Sequence, residues 1–420
     1  MKLTLKQIRR IIIGLIFLVL AGGVGYFFGK REVTVTAGTP IPQIHIQRII
    51  PLDKQAKADF DLFWQVWDRI EESYLDKGKI DYNKMVYGAI SGMVSSLEDP
   101  YTVFLPPTDN EDAKADLRGD FEGVGIQIGY NKEQMVAVIA PLSGTPAEAA
   151  GIKAGDVITR IIDEKNGIDE DTGGMSLPGA VKLIRGLKGS TVILMIYREG
   201  AEKPFEVSLK RDTIVVKSVE VRFEEKEGKK IAVLKLSRFG ERTYEEWEEA
   251  VNTIRKEEAR LGNRFGGVIL DLRNNPGGFL QGSIFIASEF LTNGVVVQQD
   301  RGDLGKETYS VNRKGKLLNE LLTVLINPGS ASASEIVAGT LQERGRAKLV
   351  GEKSFGKGTV QEAEDLPGGA GLHITVARWL LPSGKTIDKE GVTPDFEVKM
   401  DEEDQVKDPQ LEKAFEVLLE

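Results

Sequence analysis

A run apolar but for Thr323, residues 321–326, stops at Asn327-Pro328-Gly329 and gives way to Ser330-Ala331-Ser332-Ala333-Ser334-Glu335. Few local patterns restrict the path of a chain more. So short and so apolar a run reads as a strand buried on both faces. Asn-Pro-Gly is a turn, because Pro presets φ and Gly admits the left-handed region. Ile336, Val337, Thr340 and Leu341 then recur at helical spacing, and Gly345 ends the helix. A strand turning directly into a helix carries whatever occupies the turn to the carboxyl edge of a sheet, where α/β folds place functional groups. A serine there stands beside unpaired helix N–H groups and the positive end of the helix dipole, so an oxyanion finds donors in place. Taken alone, the ordinary use of Ser at such a point is to cap the helix.

The next segment shifts that balance toward chemistry. Residues 347–350 read as a second strand leading into Gly351-Glu352-Lys353-Ser354-Phe355-Gly356-Lys357-Gly358-Thr359-Val360-Gln361. Lys357 lies between two glycines, which let the backbone pass close to another element. A free lysine, with a pKa of about 10.4, is a poor base at neutral pH. Buried beside a hydroxyl it loses its proton more readily and can take one from Ser. Two other motifs fit less well. Gly351, Gly356 and Lys357 have phosphate-loop spacing, but Gly358 stands where Ser or Thr must hold magnesium. Ser354-Phe355-Gly356-Lys357 has the Ser-x-x-Lys form of penicillin-binding enzymes, but that pattern should open a helix and here lies among glycines.

The segments Gly329 to Glu335 and Gly356-Lys357-Gly358-Thr359-Val360-Gln361 resemble the C-terminal processing peptidases, also called tail-specific proteases. Matched position by position, the resemblance implies Ser332 as nucleophile, Lys357 as general base and Gln361 as the residue orienting the lysine. It implies oxyanion donors at the N–H of Ala333 and at Gly278, within Asp271-Leu272-Arg273-Asn274-Asn275-Pro276-Gly277-Gly278. The likeness runs from about Phe60 to the C-terminus. It implies a serine endopeptidase that needs no metal or cofactor and takes protein substrates by their C-termini. A silent PDZ-bearing membrane scaffold is the alternative.

Composition narrows the field independently. The 420 residues are 41% hydrophobic and 28% charged, an ordinary globular balance with room for two or three domains. A net charge of −9 without an offsetting basic stretch argues against nucleic acid as a partner. The chain has no Cys, which removes disulfides, thiol catalysis and Cys-based metal sites. It has only His45 and His373, which leaves little for a Ser-His-Asp triad or a multi-histidine zinc site.

Along the chain, residues 11–29 are uncharged and long enough to cross a bilayer, and Lys2, Lys6, Arg9 and Arg10 before them place the N-terminus in the cytoplasm. The expectation is an uncleaved anchor over residues 1–31, a linker over 32–58 and an extracytoplasmic remainder. A helical segment over 59–117 has two amphipathic patterns. Its aromatic stripe (Phe60, Phe63, Trp64, Trp67) suits core packing or a homodimer contact, and Asp99-Pro100-Tyr101-Thr102 ends it. A similar segment and turn in the family imply a lid or dimerisation role.

Residues 118–210 resemble a PDZ domain. Gly123, Val124, Gly125 and Ile126 match its carboxylate-binding loop and edge strand. Thr145-Pro146 should start a short capped helix and Ser176 a second, closed by Arg185, which is expected at the groove's end. Residues 211–420 then alternate strands and helices, predicting an α/β protease core. Thr243 with Glu246 reads as a capping box. The whole is a multidomain α+β chain with its PDZ domain before an α/β Ser-Lys core.

Overall fold

The computed structural model of the protein describes residues 31–36, 43–48, 60–142, 144–400 and 407–420, with side chains from residue 60 onward. The anchor expected at 11–29 and the acidic run at 401–404 lie outside them. Among the described residues no helix is long and apolar enough to cross a membrane. The chain divides into two compact units, residues 1–86 and 87–420.

The first unit holds an antiparallel hairpin, Arg31–Thr36 with Gln43–Arg48, and the helix Asp61–Ser73. The aromatic stripe of that helix packs largely on itself. Trp64 meets Phe63 and Trp67 edge-on or nearly so, and Trp67 stacks on Tyr82 at 6.0 Å. As a core it fails, since Phe60, Trp64 and Val66 each keep more than half of their surface exposed (51%, 55% and 51%).

In the second unit, helix Pro107–Arg118 follows the Asp-Pro-Tyr-Thr turn, so the helical part does not end at Thr102. This helix has too few apolar residues for a periodic signal. Its punctuation is nonetheless regular, with Pro at the start and a left-handed Gly119 at the end.

The PDZ-like sheet runs Phe205–Lys210, Thr191–Tyr197, Val157–Asp163, Val136–Pro141, Ile126–Tyr130, all antiparallel, leaving Ile126–Tyr130 at an edge. Its core gathers Val124, Ile158, Ile161, Leu194, Ile196 and, from helix Leu177–Ile184, Ala180 and Ile184. The cation that satisfies the end of this helix is Arg211. It donates to Ile184 O (2.8 Å) and Leu183 O (3.0 Å) and pairs with buried Asp163 (2.8 Å). Thr145 does not cap its helix; its hydroxyl donates to Leu142 O (2.6 Å) and so fastens the glycine loop instead.

The core sheet runs Val219–Lys226, Lys229–Leu236, Phe265–Asp271, Leu322–Ile326, Lys348–Gly351, Phe396–Glu397, with the first pair antiparallel and the others parallel. Helices Thr243–Leu261, Leu280–Phe290 and Ala333–Glu343 cover one face through Trp247, Ile254, Ile286, Phe290, Val337 and Leu341. Helix Pro409–Leu419 covers the other with Leu411, Ala414, Phe415 and Leu418. Cover on both faces explains why the strand at 322–326 is buried throughout and apolar but for Thr323. The expected box at Thr243 does not form. The Glu246 carboxylate turns instead to the N–H groups of Ser218 (2.7 Å) and Val219 (3.2 Å).

A second, antiparallel sheet joins Lys306–Ser310, Val295–Asp300, Gly371–Leu380 and Thr359–Asp365, with Val103–Leu105 paired to Gly371–His373. Simple strand–helix alternation did not predict it. Two of its pairings are hairpins between consecutive strands, but those of Gly371–Leu380 with Val295–Asp300 and with Val103–Leu105 join segments far apart in the chain, and no local pattern records them.

Candidate active site

Strand Leu322–Ile326 delivers three serines to the start of helix Ala333–Glu343, and their surroundings separate them. Ser330 and Ser334 are buried, and their hydroxyls donate to Leu272 O and Asn275 O (2.8 Å each). Both are structural pins. Ser332 is half-exposed, and its own hydroxyl proton is committed to no acceptor among the described residues. Its backbone takes φ 54° and ψ −116°, a left-handed-side conformation that costs a non-glycine residue about 1–3 kcal/mol. Such strain is found where a sharp turn must expose a nucleophile.

The strain is held by Glu335, which is fully buried. Its Oε2 accepts the N–H of Ser332 (2.7 Å) and of Lys357 (2.9 Å). Its Oε1 accepts the N–H of Gly356 (2.7 Å) and the hydroxyl of Ser354 (2.6 Å). One carboxylate therefore ties the serine turn to the lysine loop. Burial pushes its carboxyl above the ordinary range, and the converging donors pull the other way. Ser354, spent on this carboxylate and lying in a loop, has neither the freedom nor the helix start that a penicillin-binding serine needs. The sequence contained a signal for Glu335, since Ser332-x-x-Glu335 has capping-box spacing at a helix start.

The glycines around Lys357 are required by close approach. A Cβ on Gly356 would stand 2.9 Å from Gly391 N, and one on Gly358 would stand 2.6 Å from Asp388 Cβ. The buried Trp379 indole donates to Lys357 O (2.9 Å) and fixes the loop from the antiparallel sheet. Burial lowers the Lys357 pKa, while the carboxylates of Asp99 and Glu335 work in the opposite direction. No hydrogen bond joins the Ser332 hydroxyl to the lysine amine among the described residues. The amine lies over the ring of Tyr101, 4.8 Å from its centre. Gln361, one strand turn on, donates from Nε2 to the hydroxyls of Thr359 (2.9 Å) and Thr375 (3.1 Å). Tyr101, Asp99, Thr375 and Trp379 were not singled out as site residues from the sequence. Pairing of Val103–Leu105 with the distant Gly371–His373 brings in Asp99 and Tyr101, while Thr375 and Trp379 arrive on the strand next to Thr359–Asp365.

The Asn-Pro-Gly-Gly turn arrives from the end of strand Phe265–Asp271. Gly277 (φ 101°) is pressed against Ser332, where a Cβ would stand 2.8 Å from Ala331 O and 2.9 Å from Ser332 Cβ. Gly278 (φ 139°) backs onto Phe239, where a Cβ would stand 2.1 Å from its carbonyl oxygen. The N–H groups of Gly278 and Ala333 are spent in no hydrogen bond among the described residues, so both remain able to receive an oxyanion.

A groove elsewhere in the same unit collects the other expected residues. Gly123, Val124, Gly125 and Ile126 line it together with Val181, Ile184 and Arg185 of the helix opposite. Gly125 has φ 78°, and a Cβ there would lie 2.3 Å from Thr145 Cβ. Arg185 closes the groove, its guanidinium 4.5 Å over the Phe121 ring and 4.0 Å from the carboxylates of Asp112 and Asp116.

The sequence matches peptidase family S41 over residues 230–398, the N-terminal domain of the activating protease CtpB over 19–108 and PDZ domains over 113–197. It is 39% identical over 352 residues to the carboxyl-terminal-processing protease of Picosynechococcus, covering 81% of this chain and 79% of that protein. It is 36% identical over 358 residues to the carboxy-terminal processing protease CtpA of Bacillus subtilis, covering 84% and 72% respectively. Among solved structures, the photosystem II D1 C-terminal processing protease aligns with a TM-score of 0.50 at 28% identity, over 86% of this chain and 97% of that one.

Proposed function

This chain belongs to the carboxyl-terminal processing proteases of peptidase family S41, serine-type peptidases here carrying a PDZ domain, and we propose that Ser332 and Lys357 are its catalytic dyad. The observation that carries the reading is the Glu335 carboxylate, which holds a strained, half-exposed serine and the lysine loop on one anchor. In this reading the Lys357 side chain swings from the Tyr101 ring, and its neutral amine takes the Ser332 proton. Ser332 Oγ then bonds to the peptide carbonyl carbon, and the charge moves onto the oxygen between the N–H groups of Gly278 and Ala333. The C–N bond breaks as the Lys357 ammonium gives its proton to the departing amine. Lys357 next takes a proton from water, which attacks the acyl carbon, and returns it to Ser332 Oγ as the ester bond breaks and the new carboxyl end is released. Gln361 directs the amine throughout. No step calls for a metal or cofactor.

Protein substrates are bound by their C-termini through the PDZ domain. The tail adds as a strand beside Ile126–Tyr130, its carboxylate received by the loop Gly123 to Ile126. Arg185 couples that binding to the dyad. Residues 11–29, preceded by basic residues, anchor the enzyme with its catalytic part outside the cytoplasm. The exposed aromatics of helix Asp61–Ser73 suit a homodimer contact. Membrane fractionation with and without residues 1–31, and the mass in solution of a Trp64→Ser variant, test these two points.

The deciding experiment follows cleavage of an unstructured protein by the wild type, Ser332→Ala and Lys357→Ala. Turnover by the wild type alone is expected. Retained turnover in either variant removes the dyad, and none in the wild type favours the silent scaffold.

A further inference from the structure

The glycine turn that offers Gly278 N–H is gripped from within by Asn275, a fully buried side chain with no part in the mechanism so far. Asn275 Nδ2 donates to Leu236 O (2.8 Å), at the end of strand Lys229–Leu236, and Asn275 Oδ1 accepts the N–H of Gly277 (2.9 Å). The carbonyl oxygen of Asn275 accepts the Ala331 N–H (3.0 Å) and the Ser334 hydroxyl (2.8 Å), one on either side of Ser332. Asn274 adds a second seam to the same turn. Its N–H donates to Asn327 Oδ1 and its Oδ1 accepts from Asn327 Nδ2 (2.8 Å each).

A peptide unit is planar and, throughout the described residues, trans, so its C=O and N–H point in opposite directions. In the unit joining Gly277 to Gly278, the Gly277 oxygen accepts the N–H of Phe239 (2.9 Å). Gly278 N–H therefore faces away from Phe239. A Cβ on Gly277 would stand 3.0 Å from Ala333 N, so the second donor borders the same place. A flip of this one unit would undo the arrangement, turning a carbonyl oxygen toward the incoming oxyanion. The flip needs rotation only about Gly277 ψ and Gly278 φ, and two glycines in succession offer no Cβ to resist it.

Two hydrogen bonds do resist it. The bond on Gly277 N–H fixes the peptide before that residue, and the bond on Gly277 O fixes the peptide after it. Together they set both torsions of Gly277, which neither does alone. We propose that Asn275 is a positioning residue for the oxyanion hole: anchored on Leu236 O, it holds Gly277 N–H and so keeps Gly278 N–H turned toward the substrate. The inference rests on the reading of Gly278 and Ala333 as oxyanion donors.

The test uses the full chain. Asn275→Ala is expected to lower kcat about a hundredfold with KM little changed, the scale on which one oxyanion donor acts. The acid limb of the rate, which belongs to Lys357, should stay in place. The diagnostic measurement is the ratio of kcat/KM for a peptidyl ester to that for its thiono counterpart, in which sulfur replaces the carbonyl oxygen. Sulfur is larger and a weaker hydrogen-bond acceptor, so a formed hole favours the oxygen ester. That preference should shrink about tenfold in Asn275→Ala, whereas a general loss of folded enzyme slows both esters equally. Asn275→Ser, whose hydroxyl can accept from Gly277 N–H but is too short to hold Leu236 O as well, should fall between. An unchanged ratio in Asn275→Ala gives the side chain a structural role only and overturns the proposal, whatever becomes of kcat. If Asn275→Ala does not fold, Asn275→Ser decides alone, a reduced ratio supporting the proposal and a wild-type ratio overturning it. A wild type that favours neither ester would sink the oxyanion reading itself. A wild-type preference that survives in the variants sinks only the present inference.

Discussion

The PDZ groove and the serine cleft are built from the same parts, a glycine turn facing one side of a helix, and they use them in opposite ways. In the groove, the glycines free backbone N–H groups at a sheet edge, and the walls are apolar. Charge enters only at its end, with Arg185. In the cleft, the glycines let loops crowd a fully buried carboxylate and a half-buried lysine. Binding needs an open edge that any tail can join, and chemistry needs charges kept short of water and fixed in place. The groove should therefore fail through sterics and the cleft through loss of a charge partner.

Glu335→Ala is the severest way to separate them. Four donors lose their acceptor at once, and each buried donor left unsatisfied costs about 1–3 kcal/mol. Turnover is expected to fall at least about a thousandfold as the strained turn relaxes, and denaturant melts should show a weaker core. Binding of a C-terminal peptide, read by fluorescence anisotropy, should be unchanged. A parallel loss of tail binding would mean the two sites do not fail separately.

Gly125→Val is the reverse experiment. It places a branched side chain at φ 78°, on top of Thr145. Tail affinity should drop about tenfold or more, since a left-handed conformation alone costs a non-glycine residue about 1–2 kcal/mol. Cleavage of a short peptide that carries no recognised tail should persist. If it is lost as well, the groove also shapes the cleft.

How much of this was legible in the sequence follows the same division. Ser332, Lys357 and the groove glycines announce themselves locally, because a turn, a helix start and a Gly-Lys-Gly loop are short-range patterns. Helix Leu177–Ile184 likewise begins at Ser176 as expected, with the Ser176 side chain accepting from Gly179 N–H. Helix Pro107–Arg118 was hidden because its surface is polar on most sides. The antiparallel sheet that carries Trp379 and Thr375, and the turn that brings Tyr101 to the lysine, depend on pairings such as His373 with Val103. No window of sequence contains both partners. Thr243 and Glu246 mark the opposite failure, a correct local pattern that tertiary contacts with Ser218 overrule.

Titration sharpens the contrast, because only the cleft should register it near the lysine. Burial lowers the Lys357 pKa, and in the proposed mechanism the amine works deprotonated, so activity should rise with pH through a limb below the ordinary lysine value of about 10.4. Tail binding should show no matching limb. A rate limb at or above the ordinary lysine value would show the amine to be solvated, and the burial argument would fail with it.

The smallest expected effect lies where the two regions meet. Arg185 faces Asp116 at 4.0 Å, and Asp116 also pairs with Arg238 at 3.3 Å. The residue after Arg238, Phe239, donates its N–H to Gly277 O (2.9 Å), and Gly277 lies against Ser332. A tail that draws Arg185 into the groove would loosen its hold on Asp116 and so bear on the oxyanion turn. These ion pairs are partly exposed, and each is worth little by itself. The coupling should therefore be modest, about threefold to tenfold in kcat. Arg185→Ala is expected to bind tails almost normally, yet to lose most of the advantage that a tailed substrate holds over an untailed one. Because the groove and the dyad each remain intact in that variant, only the connection between them is being measured. An unchanged ratio of the two kcat values, with tail binding preserved, would leave the groove as a tether that raises local concentration and nothing more.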